Sequence, residues 1–194
     1  MNKTNKTKYK NAILYFSYGL KDNVIDAFKP DKIKIAKLLY YLDFINFRDR
    51  KKSITGTVYY KQSLGPLPKD YEEMIGELVS EGKLVASEKV IVTKGDTRVK
   101  TDVLLAKESP EMDKVFREEE QILARKILNQ YKEWTAEELS AKSHLESPWI
   151  KAEYGAVLDF ELADDIDDFD ETKEQEYKEE DLAIIGAIQE ISGT

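Results

Sequence analysis

Apolar positions along this chain recur mostly at helical spacing, broken in two places by short extended runs. Residues 11–18 predict a short amphipathic helix. Asp31 predicts the cap of a second, in which Ile33, Ile35, Ala36, Leu38, Leu39, Leu42, Phe44 and Ile45 form a stripe broad enough to place it in the core. TVYYKQSLGPLP (57–68) reads as an extended stretch ended by a Gly-Pro turn, because Pro66 disfavours a helical residue before it. Asp70 then caps DYEEMIGELVSEG, which closes at Gly82, a residue tolerant of the left-handed cap conformation. Residues 89–92 and 99–105 flank the turn KGDT as a β-hairpin. Pro110 opens the longest helix, with Met112, Val115, Phe116, Ile122, Leu123, Ile127, Leu128 and Tyr131 near one face, until Trp134. Thr135, with Glu138 three residues on, has the capping-box spacing and starts a short helix carrying ELSAKSH.

The pattern changes after residue 159. Residues 161–181 (ELADDIDDFDETKEQEYKEED) carry too much like charge to bury a face and predict a flexible or weakly helical linker. LAIIGAIQEIS comes next, with Leu182, Ile184, Ile185, Ile188 and Ile191 largely on one helical face, too apolar to stay solvated alone. The expected fold is α+β and mainly α-helical: a compact helical domain with one antiparallel β-hairpin over 1–159, an acidic linker over 160–181 and a C-terminal apolar helix over 182–194.

Composition narrows the chemistry. The 194 residues include no cysteine and one histidine, His144, so thiolate zinc sites, iron–sulfur clusters and cysteine nucleophiles are excluded, and Ser-His-Asp hydrolysis would run entirely through His144. Ser140 stands one helical turn before His144, but no carboxylate orienter or oxyanion glycine pattern accompanies the pair. The basic start MNKTNKTKYK precedes an apolar run interrupted by Tyr15, Ser17, Tyr18 and Gly19, unlike a secretory signal, and no stretch approaches the roughly 20 apolar residues of a membrane span. A cytoplasmic chain without cofactor, metal or catalytic residues is the expectation, and nothing in the sequence specifies an oligomeric state.

The net charge of −8 is unevenly spread: +8 over residues 1–52, −5 over 53–159 and −10 over 160–181. Asp164 to Glu171 lacks the central glycine of a calcium loop. The acidic run, through Asp164, Asp165, Asp167 and Asp168, instead suits a clamp for a basic protein surface. A winged-helix DNA-binding regulator is the alternative class, since DYEEMIGELVSEGK precedes a hairpin with Lys89, Lys94, Arg98 and Lys100. Its recognition helix, however, would hold Asp70, Glu72, Glu73, Glu77 and Glu81 with no cation, and would be repelled by phosphate. Nucleic acid is therefore not expected as a partner.

Three blocks in order, KLLYYLDF (37–44), ITGTVYYKQSLGPLP (54–68) and ELSAKSHLESPWIKA (138–152), resemble the SocA-like or Panacea antitoxin domain family. The resemblance spans most of residues 10–155 and implies a bacterial or phage toxin–antitoxin component. Such a domain neutralises a cognate protein toxin by direct contact or, in one branch, acts as a proteolytic adaptor that delivers the toxin to a protease. Within the blocks, Leu39, Tyr40, Gly65, Pro66, Ser140, His144 and Pro148 read as structural. His144 is expected to cap or hydrogen-bond its helix end, with Pro148 and Trp149 turning the chain into the core. Tyr41, Asp43 and Trp149 are the expected anchors for a partner, and Ile184, Ile185 and Ile188 the expected face of a C-terminal helix that docks in cis or on that partner.

Overall fold

The computed structural model describes residues 4–92 and 98–166. Its centre is α2 (Lys32–Arg50), in which every residue from Lys34 to Asn46 is buried. Asp31 caps it as the sequence predicts, its carboxylate accepting from the Lys34 amide at 2.9 Å. A helix buried all round needs neighbours on every side, and α2 has them: α1 (Lys6–Leu20), α5 (Glu118–Tyr131), α6 (Ala136–His144), two hairpins and the last described turn.

The helix α1 begins five residues earlier than the apolar pattern predicts, because Asn5 caps it by accepting from Lys8 N. Its first turns carry Lys6 and Lys10, which pair with Glu73, Glu77 and Glu81 at and just beyond α3 (Tyr71–Ser80). Ser17 pins α1 to the long hairpin, donating to Leu104 O and accepting from Ala106 N. That hairpin, β3 (Leu84–Val92) with β4 (Arg98–Ala106), is longer than the predicted one. Its base is buried at Leu84, Leu104 and Ala106, so tertiary packing extends β3 back to Leu84, five residues before the predicted run. The KGDT turn lies outside the described residues.

The architecture is mainly helical α+β, with a second hairpin where one extended stretch is predicted. β1 (Tyr59–Gln62) pairs antiparallel with β2 (Gly65–Pro68), and the turn falls at Ser63–Leu64, so Gly65 and Pro66 lie inside a strand instead of forming the turn. Two prolines fit β2 because it is an edge strand. Residues 155–158 add to the other side of β1 through Lys61 N to Ala156 O, Gly155 N to Lys61 O and Leu158 N to Tyr59 O.

The predicted long helix is two. It breaks between α4 (Met112–Val115) and α5 at Phe116, which is extended and buried, and Glu120 of α5 reaches back to accept from Arg117 N at 2.9 Å. Thr135 and Glu138 form the expected capping box of α6. A four-residue helix, α7 (Ser147–Ile150), comes after it. Packed chain then continues past residue 159. A 3₁₀ turn spans Phe160–Asp165, Phe160 stacks on Phe44 with ring centroids 4.1 Å apart, and Ala163 and Ile166 are buried. The first residues expected to be linker are thus held by an aromatic cluster that the acidic composition conceals. Among the described residues, no helix is long and apolar enough to cross a membrane.

Candidate functional site

The three sequence blocks meet around α2. Asp43, fully buried, accepts hydrogen bonds from the amides of Ile54 and Thr55, both at 2.7 Å, from the Thr55 hydroxyl, and from Tyr59 OH at 2.8 Å. Burial pushes its carboxyl up, and these donors oppose that shift. The Tyr59 hydroxyl lies 2.8 Å from Leu39 O as well, so Asp43 and the buried Leu39 fix the entry to β1. Asp43 therefore does not reach a partner. Tyr41 does not either: it is fully buried and stacks on Tyr131 at 5.0 Å. Both expectations give way to the same cause, a central helix covered on every side.

Lys37 joins the second block to the first. Its ammonium, inside the core, donates to Pro66 O at 2.9 Å, and burial lowers its pKa to about 7. Gly65 adopts φ +91°, and a Cβ there would stand 2.6 Å from both Lys37 Cε and Ser143 Oγ. Glycine is required for conformation and for space together. Ser140 Oγ donates to Leu64 O at 3.0 Å and Ser143 Oγ to Ser140 O at 2.7 Å, tying α6 to the same hairpin. Ser140 is thus turned to a backbone carbonyl, away from any nucleophilic role with His144.

Glu146 sits between α6 and α7, buried, 3.5 Å from Lys142 Nζ and faced by the Tyr40 and Tyr41 hydroxyls. Burial pushes its carboxyl up to about 7 against the pull of Lys142 and the tyrosines. Pro148, buried, opens α7. Asp165 accepts from Ser147 N at 2.9 Å, which gives it a structural task at the start of α7, while Asp164 is exposed, 4.0 Å from Lys51. Asp167, Asp168, Ile184, Ile185 and Ile188 lie outside the described residues.

Of the expected anchors, Trp149 reaches the surface. It does not plug the core: it is half-buried, stacked on His144 with centroids 4.1 Å apart, and its indole N–H points to Gln62 O at 3.4 Å. The Lys61 ammonium lies 3.8 Å from its ring centroid and donates to Ala152 O at 3.0 Å. His144 serves as this stacking platform instead of a cap. Burial, helped by the charges of Lys37 and Lys61, lowers its pKa to about 4, so the ring under Trp149 is neutral near pH 7. Leu145 and Ile150 flank the tryptophan in sequence, 38% and 56% exposed. The result is an aromatic ring held by stacking, cation and hydrogen bond, with aliphatic side chains left in water.

Sequence reasoning missed Lys37, Lys61, Ser143 and Glu146. Lys37 and Glu146 carry a faint signal as charged residues inside otherwise apolar or compact blocks; Lys61 and Ser143 carry none. For the winged-helix alternative, α3 would be the reading helix, and Glu73 and Glu77 along it and Glu81 at its end are matched by α1 lysines, while Lys100 pairs with Glu88 and Lys89 donates to Asp26 O.

Comparison with curated proteins and comparison with solved structures each find no match. The family described as antitoxin SocA-like, Panacea domain, matches residues 35–150, more than half of the chain and the stretch from the first turn of α2 to the end of α7 that holds the Lys37–Gly65–Ser143 junction and the Trp149 platform. The chain belongs to the SocA-like antitoxin family and carries its Panacea domain.

Proposed function

We propose that this protein neutralises a cognate protein toxin by direct, stoichiometric binding, and that the toxin docks on the α6–α7 surface centred on Trp149. Family membership supports the partner class. The surface is supported by one observation above the rest: Trp149 is pre-oriented by His144, Lys61 and Gln62 while Leu145 and Ile150 stay exposed. A tryptophan already fixed in its rotamer loses little entropy on binding, and aromatic anchors ringed by aliphatic contacts dominate interface energetics. The occupant that fits is an apolar protein surface with an acidic margin, because the Lys61 ammonium lies over the ring and Lys151, two residues on in sequence, is exposed.

Co-expression with the product of the neighbouring gene tests this. Growth rescue together with a one-to-one complex is the expected outcome, and both are lost in Trp149→Ala. Rescue without a stable complex, with toxin loss that depends on a host protease, would make the protein an adaptor. No rescue, no complex and salt-sensitive retention on DNA would overturn the antitoxin reading in favour of a DNA-binding regulator.

A further inference from the structure

The small sheet has a second face that the toxin proposal does not use. In the register of β1, Tyr59 opposes Pro68 and lies beside Leu158, all three buried. The alternate positions point the other way: Tyr60 opposes Leu67 on one side and Val157 on the other. Leu67 and Val157 are 38% and 50% exposed. Tyr154 joins them, 70% exposed, its hydroxyl 3.2 Å from the Gln62 side chain. β1, β2 and the segment 154–157 beside β1 therefore present a row of apolar side chains to water. Half of that row, Tyr154 and Val157, lies beyond the family match, which ends at residue 150.

We propose that residues 182–191 of the same chain, LAIIGAIQEI, dock on this face. The occupant is indicated by where the described chain stops and by the length and chemistry of the chain beyond that point. The last described turn packs on β1 through Phe160 and Tyr59, with centroids 6.3 Å apart, and ends at Ile166, whose carbonyl accepts from Arg48. Fifteen residues separate Ile166 from Leu182, enough to span about 50 Å when extended, against a radius of gyration of roughly 15 Å for a domain of this size. Residues 167–181 hold nine carboxylates against two lysines, and the described chain before them ends at Ile166 beside Arg48, at the basic end of α2 where Arg50, Lys51 and Lys52 are exposed. Opposite charge biases the connecting stretch toward the end of α2 that leads into β1. The apolar segment and half of its receiving face both lie outside the family match, as expected of two parts that serve each other and not the shared partner.

Replacing Ile188 by the photo-crosslinking amino acid benzoylphenylalanine in the full chain tests the contact without any toxin present, so the outcome is independent of the antitoxin reading. Irradiation should give intramolecular cross-links to peptides containing Tyr60, Leu67 or residues 154–157, with a yield unchanged on tenfold dilution. Leu67→Asp with Val157→Asp, both at exposed positions, should lower that yield by about tenfold or more, because a charge set against buried isoleucines is strongly disfavoured. Cross-links only between chains, rising with concentration, would assign the face to a second copy and overturn the proposal. Cross-links confined to other elements, or insensitive to the two aspartates, would overturn it as well.

Discussion

The two faces of the β1–β2 hairpin differ in what surrounds them. On the inner face, Tyr59, Gly65, Pro66 and Pro68 are buried, and side chains of α2 and α6 meet the backbone there: Lys37 at Pro66 O, Ser140 at Leu64 O, Asp43 at the entry to β1. On the outer face, Leu67 and Val157 meet water, and on the neighbouring α6–α7 surface Trp149 is held but half open. The contrast separates two demands on one element. Buried polar groups must find partners, so the inner face is fixed residue by residue, whereas exposed apolar side chains are inexpensive to keep and become useful once something covers them.

The inner face depends most on Asp43. Asp43→Ala strands two amides and the Thr55 hydroxyl inside the core, leaves Tyr59 only Leu39 O, and should destabilise the fold by about 3–5 kcal/mol, read as a lower denaturation midpoint. Gly65→Ala forces a Cβ into the left-handed region and against Lys37 and Ser143, and should cost about 2–3 kcal/mol on the same measurement.

A smaller effect is set by pH. The Glu146 carboxyl is pushed up to about 7, so its contribution favours the fold below the ordinary carboxyl range and is lost as pH rises through 7. The His144 ring is depressed to about 4, so its contribution is present above about 6.5 and lost as pH falls through 4. The two oppose each other between about pH 4.5 and 6.5. The lysines do not interfere there, because Lys37 and Lys34, lowered to about 7 and 8, act mainly between those values and their ordinary 10.5. Glu146→Gln removes one side of the balance: its stability relative to the parent should rise between about pH 5 and 7, by no more than about 1.4 kcal/mol per pH unit for one proton. Parallel pH profiles for the two proteins would contradict this.

Local rules made much of the fold legible. Asp31, Thr135 with Glu138, and Gly82 each mark a helix end by chemistry available within a few residues, and the apolar stripe of α2 named the core. What escaped depends on contacts across the chain. Phe116 breaks the predicted long helix because it enters the core, and Phe160 holds residues whose charge suggests a linker because Phe44 and Tyr59 receive its ring. The candidate site was half legible. Trp149 could be named as an anchor from residue type alone, but its platform could not, since His144 and Lys61 are brought to it by α6 and β1 from five and eighty-eight residues away. Tyr41 and Asp43 mislead for the converse reason: an aromatic and an acid on an amphipathic helix suggest a surface, and only the tertiary packing of α2 puts them inside.

The measurement that tests the central claim most directly is the affinity of the purified cognate toxin for the parent protein and for Trp149→Ala, with denaturation midpoints recorded for both. A loss of about 30-fold or more in affinity, corresponding to roughly 2 kcal/mol at an interface anchor, with little change in stability, is the predicted result. Unchanged affinity at unchanged stability would contradict the account and move the toxin to another face.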